Sequence, residues 1–220
     1  MCFSPQADLI GGAVIGAIGV DAIHHVHRQP SHIAIASLPL LLAAHQVDEA
    51  FVWLGLQGHV PHGVEHVALW IYLLIAFVVL PLFVPLAVLA FEPTRRRKWL
   101  MTPFVAIGTV VASVLLAALI RGPVGVELRP YHLAYSVKLS DGLPLGCLYV
   151  VAVCGALLLS GSRPVVVFGV VNLIAIAIIA QLTFDGFASV WCGWAAISSG
   201  AIALQMRLKG HRHQRPVAFT

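Results

Sequence analysis

HQVDEAFVWLGLQGHVPHGVEH, residues 45–66, joins two long apolar segments. It carries His45, Asp48, Glu49, His59, His62, Glu65 and His66, in a chain with nine carboxylates and eleven histidines. Carboxylates and imidazoles within apolar segments are expensive, so they are usually paired, metal-bound or functional. Reading this stretch as a turn between two membrane helices decides the fold and marks a site.

The sequence on either side supports that reading. Of 220 residues, 60% are hydrophobic and only 10% charged, with a mean hydropathy of +0.93. A water-soluble core of this size has no room for so much apolar surface, so lipid is the expected solvent. Seven apolar stretches run roughly over 8–26, 33–57, 64–91, 100–120, 143–160, 164–184 and 186–207. Several reach the ~20 residues that span hydrocarbon. Open sheets leave backbone groups unsatisfied in lipid. The expected fold is therefore an all-α membrane protein, a bundle of about seven transmembrane helices over 1–208 with a basic tail at 209–220. The first stretch, interrupted by glycines, and the short fifth are its weakest members. No basic leader precedes Asp8, so the first span is expected to be retained and not cleaved.

Charge sets the expected orientation. Alternate loops gather Arg28, Arg95–Lys98, Arg163 and the tail residues Arg207, Lys209, Arg212 and Arg215 on one face. The other face receives Arg121, Arg129 and Lys138. The positive-inside rule then puts the N-terminus outside and the C-terminus in the cytoplasm of a multi-pass inner or plasma membrane protein. The net charge of +4 is thus a matter of topology, with no nucleic-acid partner implied. Under this topology Cys2, Ser4, Glu49, His59, His62, Glu65, His66, Glu127, Tyr131, His132, Tyr135, Asp185, Ser189, Trp191 and Cys192 all fall in the outer half. Convergence on one extracytoplasmic cavity is the expectation.

Spacing refines the candidates. His45, Asp48 and Glu49 stand at i, i+3, i+4 and share a helical face, as do His62, Glu65 and His66. A turn centred near Gly58 would bring Glu49 and His66 to similar depth. Carboxylate and histidine at such spacings on paired helices can hold a metal ion. His62-x-x-Glu65-His66 also matches a short inverted zinc-protease pattern. The competing reading makes His59, His62 and His66 interfacial residues near water. His24, His25, His27 and His32 form a second cluster, better read as interfacial. Pro39, Pro81 and Pro85 should kink their spans.

The four cysteines form no CxxC pair, which excludes a compact zinc or redox motif. Cys2 and Cys192 share the outer face, and first and last spans are commonly neighbours. A disulfide and a metal site are both open to them. Cys147 lies near the outer end of its span, and Cys154 reads as a small core residue. Trp53, Trp70, Trp191 and Trp194 suit an interfacial aromatic belt.

Four motifs in order carry a resemblance: the opening Met-Cys-Phe-Ser, His45-Gln46-x-x-Glu49-x-x-x-Trp53, His132-x-x-Tyr135, and Ser189-x-Trp191-Cys192. Together they resemble an uncharacterised family of bacterial integral membrane proteins with an N-terminal Met-Cys-Phe-Ser motif. The resemblance covers the whole chain. It implies special weight for Cys2, Ser4, Gln46, Glu49, Trp53, His132, Tyr135, Ser189, Trp191 and Cys192, and it implies no activity.

Three functions fit these residues. The first is a metal-dependent membrane enzyme of hydrolase type. Cys2, His132 and Cys192, with His62 and His66 as further candidates, would hold zinc; copper or iron is the alternative metal. Glu49, Tyr135 or Glu65 would handle protons while a metal-bound water attacks an amphiphile from the outer leaflet. A copper or di-iron oxidoreductase is a variant of the same idea. The second function is a transporter or small-molecule or ion-binding protein using Glu49. Its path would be lined by Gln46, Asp48, Asn172 and Gln181, with Ser4, His45, Trp53, Ser189 and Trp191 as binding residues. The third is a structural or sensory bundle.

Overall fold

A computed structural model describes residues 4–26, 30–129, 132–139, 142–182, 189–191, 193–200 and 203. The architecture is mostly helical: α1 (Pro5–Val26), α2 (Pro30–Ala36), α3 (Leu38–Leu56), α4 (His62–Phe91), α5 (Arg95–Arg121), α6 (Gly142–Leu158) and α7 (Arg163–Leu182). A further helix, α8, carries residues 189–191 and 193–200. Among the described residues five helical segments are long and apolar enough to cross a membrane. They are α1, Ser31–Leu56, α4, α5 and Arg163–Gln181. The expected fifth span, α6, is apolar but shorter. The tail 209–220 lies outside the described residues.

The all-α expectation needs one correction. The long loop after α5 is an antiparallel hairpin, β1 (Val124–Leu128) and β2 (Leu133–Val137). Its register pairs Val124 with Val137, Val126 with Tyr135 and Leu128 with Leu133. Apolar residues recur every second position in both strands, which is the period of one sheet face. That face packs against α3 and α4, where Tyr135 and Val126 join the apolar clusters around Trp53 and Tyr72. A lone hairpin is marginal in water, so this packing is what holds it.

The glycines of α1 do not break it. The helix runs unbroken over 22 residues, and its glycines face α3 at close range. A Cβ on Gly12 would sit 2.7 Å from Val47 Cγ2, and one on Gly19 would sit 2.8 Å from the Leu40 backbone nitrogen. Small residues permit this close approach of apolar helices. Because Gly12 meets Val47 while Gly19 meets Leu40, the two helices are antiparallel. Asp8, one turn before Gly12, therefore reaches the turn of α3 that follows His45. At the other side of the bundle Gly200 of α8 faces Ile15 and Ile18 of α1, so the first and last helices are neighbours as expected.

The turn at Gly58 is also as expected. Gly58 takes φ +76°, His59 N–H bonds the Leu54 carbonyl at 2.8 Å and Gly58 N–H bonds that of Gly55 at 2.9 Å. This double closure after a left-handed glycine is a Schellman cap. The α3–α4 register, however, differs from a simple fold-back about Gly58. Gly55 lies against Glu65, and His45 stacks on Tyr72. Glu49 is thus level with residues 68–72, about one turn beyond His66.

Pro39 and Pro81 mark the two departures from regular helix. Pro39 lies at the start of α3, and Ser37 separates α3 from α2. Inside α4, residues Ile75–Val79 form a π-turn just ahead of Pro81.

A candidate buried polar site

Four polar side chains at one end of the bundle are fully buried: Asp8, His45, Gln46 and Glu49. Position explains their meeting. The α1 glycines bring Asp8 beside α3, and the i, i+3, i+4 spacing stacks His45, Asp48 and Glu49 on one α3 face. Asp8 and Asp48 both lie within electrostatic reach of Glu49. Gln46 Nε2–H donates to Glu49 Oε2 at 3.4 Å, a long bond. Among the described residues both carboxyl oxygens of Asp8, both ring nitrogens of His45, Asp48 Oδ2 and Trp53 Nε1 are buried without a hydrogen-bond partner. Buried polar atoms are almost always partnered, so such a concentration makes this cluster the candidate site.

Aromatic rings close the site. His45 stacks on Tyr72 at 4.1 Å and 22°, and Tyr72 stacks on Tyr135 at 4.1 Å and 11°. The stack runs from α3 through α4 to β2. It ties the hairpin to the polar cluster, with the fully buried Leu133 beside it.

A model of DUF6629, a family of unknown function, matches residues 1–218. The chain belongs to that family. The resemblance to an uncharacterised family is borne out at that level. Neither the curated proteins nor the solved structures return a match.

The family chain therefore has to be read from its own geometry, and its candidate residues separate into groups. His45, Gln46, Glu49, Trp53 and Tyr135 come together. Ser4 is adjacent in a plainer role: its hydroxyl accepts the Ala7 amide at 3.2 Å and caps α1. His132, half-buried at the hairpin turn, has its Nε2 buried without a partner among the described residues. Ser189 is fully buried, and Trp191 packs edge-on against Tyr149 at 5.4 Å.

The α4 triplet stays apart. His62 is 87% exposed and its Nδ1 pairs with Glu65 Oε2 at 2.8 Å. His66 is exposed, edge-on to Trp70. Neither joins Glu49, because the register sets them nearer the turn. Among the described residues no group of three His, Cys, Asp or Glu is placed to hold a metal ion. Cys2 and Cys192 lie outside the described residues, and with them the choice between disulfide and metal site.

Sequence reasoning missed two members of the site, Asp8 and Tyr72, and one buried carboxylate elsewhere, Glu92. Asp8 looked like a terminal residue, although a carboxylate one turn before a glycine stripe was a usable signal. Tyr72 carried no distinguishing pattern. Glu92 at the opposite end is 1% exposed and had been passed over. Its Oε1 accepts both the Ser160 hydroxyl and the Gly161 amide at 2.7 Å, and its Oε2 faces Arg97 Nε at 4.0 Å.

Proposed function

We propose that this chain is an integral membrane protein that binds, and through that binding transports or senses, a small cation or protons at the buried carboxyls of Asp8 and Glu49. The observation that carries this reading is the full burial of Asp8 and Glu49, from two apolar helices, within electrostatic reach of each other, with Asp48 also in reach of Glu49. Among the described residues no Lys or Arg pairs with Asp8 or Asp48. Neighbouring carboxyls in a low-dielectric interior need a counter-charge, supplied by a bound cation or by retained protons. Gln46 and His45 add neutral donors or acceptors, and the His45–Tyr72–Tyr135 stack seals one side.

The hairpin end faces outward in this proposal, in a multi-pass plasma or inner membrane. Support comes from charge: Arg95–Lys98 and Arg163 share the Glu92 end, while the hairpin end carries Arg121, Arg129 and Lys138. The expected outcome is that purified protein binds a cation or takes up protons stoichiometrically, and that Asp8→Asn and Glu49→Gln abolish this while folding normally. Wild type that binds neither, in titration calorimetry and proton-release measurements, would overturn the reading.

A second reading is a metal-dependent membrane enzyme acting on an amphiphile, with Cys2, His132 and Cys192 around zinc, copper or iron. The buried, unpartnered Nε2 of His132 favours it. Elemental analysis of purified protein with a thiol count separates the two readings: a bound transition metal lost in His132→Ala supports the enzyme.

A further inference from the structure

Away from the polar cluster, a cavity of about 180 Å³ opens between α4, α5 and the first turns of α6, with Trp191 in its wall. Phe77, Leu115, Leu145, Gly146 and Tyr149 also line it. Its shape is built by two local features. In the π-turn of α4, Leu80 N–H bonds the Ile75 carbonyl, and Pro81 has no N–H to offer. The Ala76 carbonyl is thereby released from the helix, and the Tyr149 hydroxyl donates to it at 2.7 Å. This bond holds the Tyr149 ring edge-on to Trp191 at 76°. π-Turns of this kind occur frequently at functional sites.

The second feature is on α6. Gly142 and Gly146 stand one turn apart on the cavity side, and nothing lies within 4 Å of a Cβ built on Gly146. The contrast with Gly12 and Gly19 is direct, since those glycines admit a neighbouring helix. A glycine within a helix weakens it relative to alanine, and here no part of the described chain uses the space. Both α6 glycines are exposed, and Leu143 between them is 71% exposed. Among the described residues the mouth of the cavity therefore opens on the outside of the bundle, the side that lipid would face in a membrane. The Tyr149 proton is already given to Ala76, and the residues around it are almost all carbon. A cavity of about 150 Å³ with apolar walls stays dry and takes a benzene-sized guest, so this one admits a chain end of roughly six carbons.

We propose that this cavity is a binding site for the end of a lipid acyl chain, entering between Gly142 and Gly146 and stopping against the Tyr149–Trp191 pair. The site requires neither Asp8 nor Glu49 and stands or falls apart from the cation reading. The test uses purified protein in phosphatidylcholine nanodiscs doped with a phosphatidylcholine whose acyl chain ends in a photoactivatable diazirine. Cross-links are mapped by peptide mass spectrometry. Wild type is expected to concentrate label on residues 142–150, several-fold above the exposed faces of α1 and α7. Gly146→Phe, which fills the space, should remove that excess; Gly146→Ala should keep it. Gly146→Leu tests the same point if the phenyl ring disturbs folding. Wild-type labelling of α6 no higher than that of the other lipid-facing helices would overturn the proposal and leave a packing void. Undiminished labelling in a folded Gly146→Phe or Gly146→Leu variant would overturn it too.

Discussion

The two ends of the bundle each bury a carboxylate, and they treat it in opposite ways. Glu92 is tied down through one oxygen: a hydroxyl and an amide converge on Oε1, while Oε2 makes no hydrogen bond among the described residues and has the Arg97 guanidinium 4.0 Å away. It staples the α4–α5 connection to the α6–α7 connection. Asp8 is equally buried, yet among the described residues neither of its oxygens has a hydrogen-bond partner, and the charges within its reach include another acid, Glu49. A buried carboxylate held by two donors and faced by a guanidinium ties chain segments together. An unsatisfied one beside a second carboxylate and an unpartnered imidazole is, under the function proposed above, a place held for a ligand. The lesson is that burial alone does not separate the two roles; the partner count does.

The contrast is most exposed to attack at Glu92. Glu92→Ala leaves the buried Ser160 hydroxyl and the partly buried Gly161 amide without their acceptor, and an orphaned buried donor costs about 1–3 kcal/mol. Unfolding in mild detergent should show a loss of about 3 kcal/mol, with cation binding at the other end unchanged. A loss below about 0.5 kcal/mol, the ordinary surface-mutation range, would break the comparison from this side.

Gly19→Ala should come next. Its Cβ meets the Leu40 backbone at 2.8 Å, where no side chain can turn away. Overpacking of this kind typically costs about 1–3 kcal/mol. Because α1 must lift from α3, Asp8 should also withdraw from Glu49, and binding should weaken although neither carboxyl is altered. Preserved binding with reduced stability would mean that the carboxyls need not be adjacent.

A smaller effect belongs to Tyr135→Ala. The stacked pair with Tyr72 contributes about 0.5–1.5 kcal/mol beyond area burial. Hydrogen exchange should then accelerate across the hairpin amides 124–137 while the core of α4 keeps its protection. Unchanged hairpin protection would show that Val126 and Leu133 hold the strands without the stack.

Asp8→Asn should move stability least, by less than about 1 kcal/mol in either direction, since no hydrogen bond among the described residues is lost. Its effect should appear in binding alone. A large destabilisation would put Asp8 in the same category as Glu92 and sharpen the comparison into a refutation.

Much of this was legible in the sequence. The apolar runs, the turn at Gly58 and the shared face of His45, Asp48 and Glu49 follow from hydropathy and from the 3.6-residue period, which are local properties. The hairpin was legible in principle too. Val124, Val126 and Leu128 alternate as Leu133, Tyr135 and Val137 do, but the expectation that membrane chains avoid sheets overrode that signal. The α1 glycines were visible and misread, because a glycine weakens an isolated helix and only a partner such as α3 reveals it as a contact surface.

Other features belong to the tertiary structure alone. That Asp8 lies beside Glu49 depends on the antiparallel pairing of α1 with α3, set by which side chains fit over Gly12 and Gly19. That Tyr135 reaches His45 depends on Tyr72 standing between them, and nothing in the residue spacing names Tyr72. The separation of His62 and His66 from Glu49 follows from an α3–α4 register that the Gly55–Glu65 contact shifts by about a turn. Glu92 finds Ser160 and Gly161 across 68 and 69 residues. Hydropathy records which segments leave water, a property of each segment by itself. Which polar groups end up facing one another is decided by pairwise packing of distant surfaces, and no single segment carries that information.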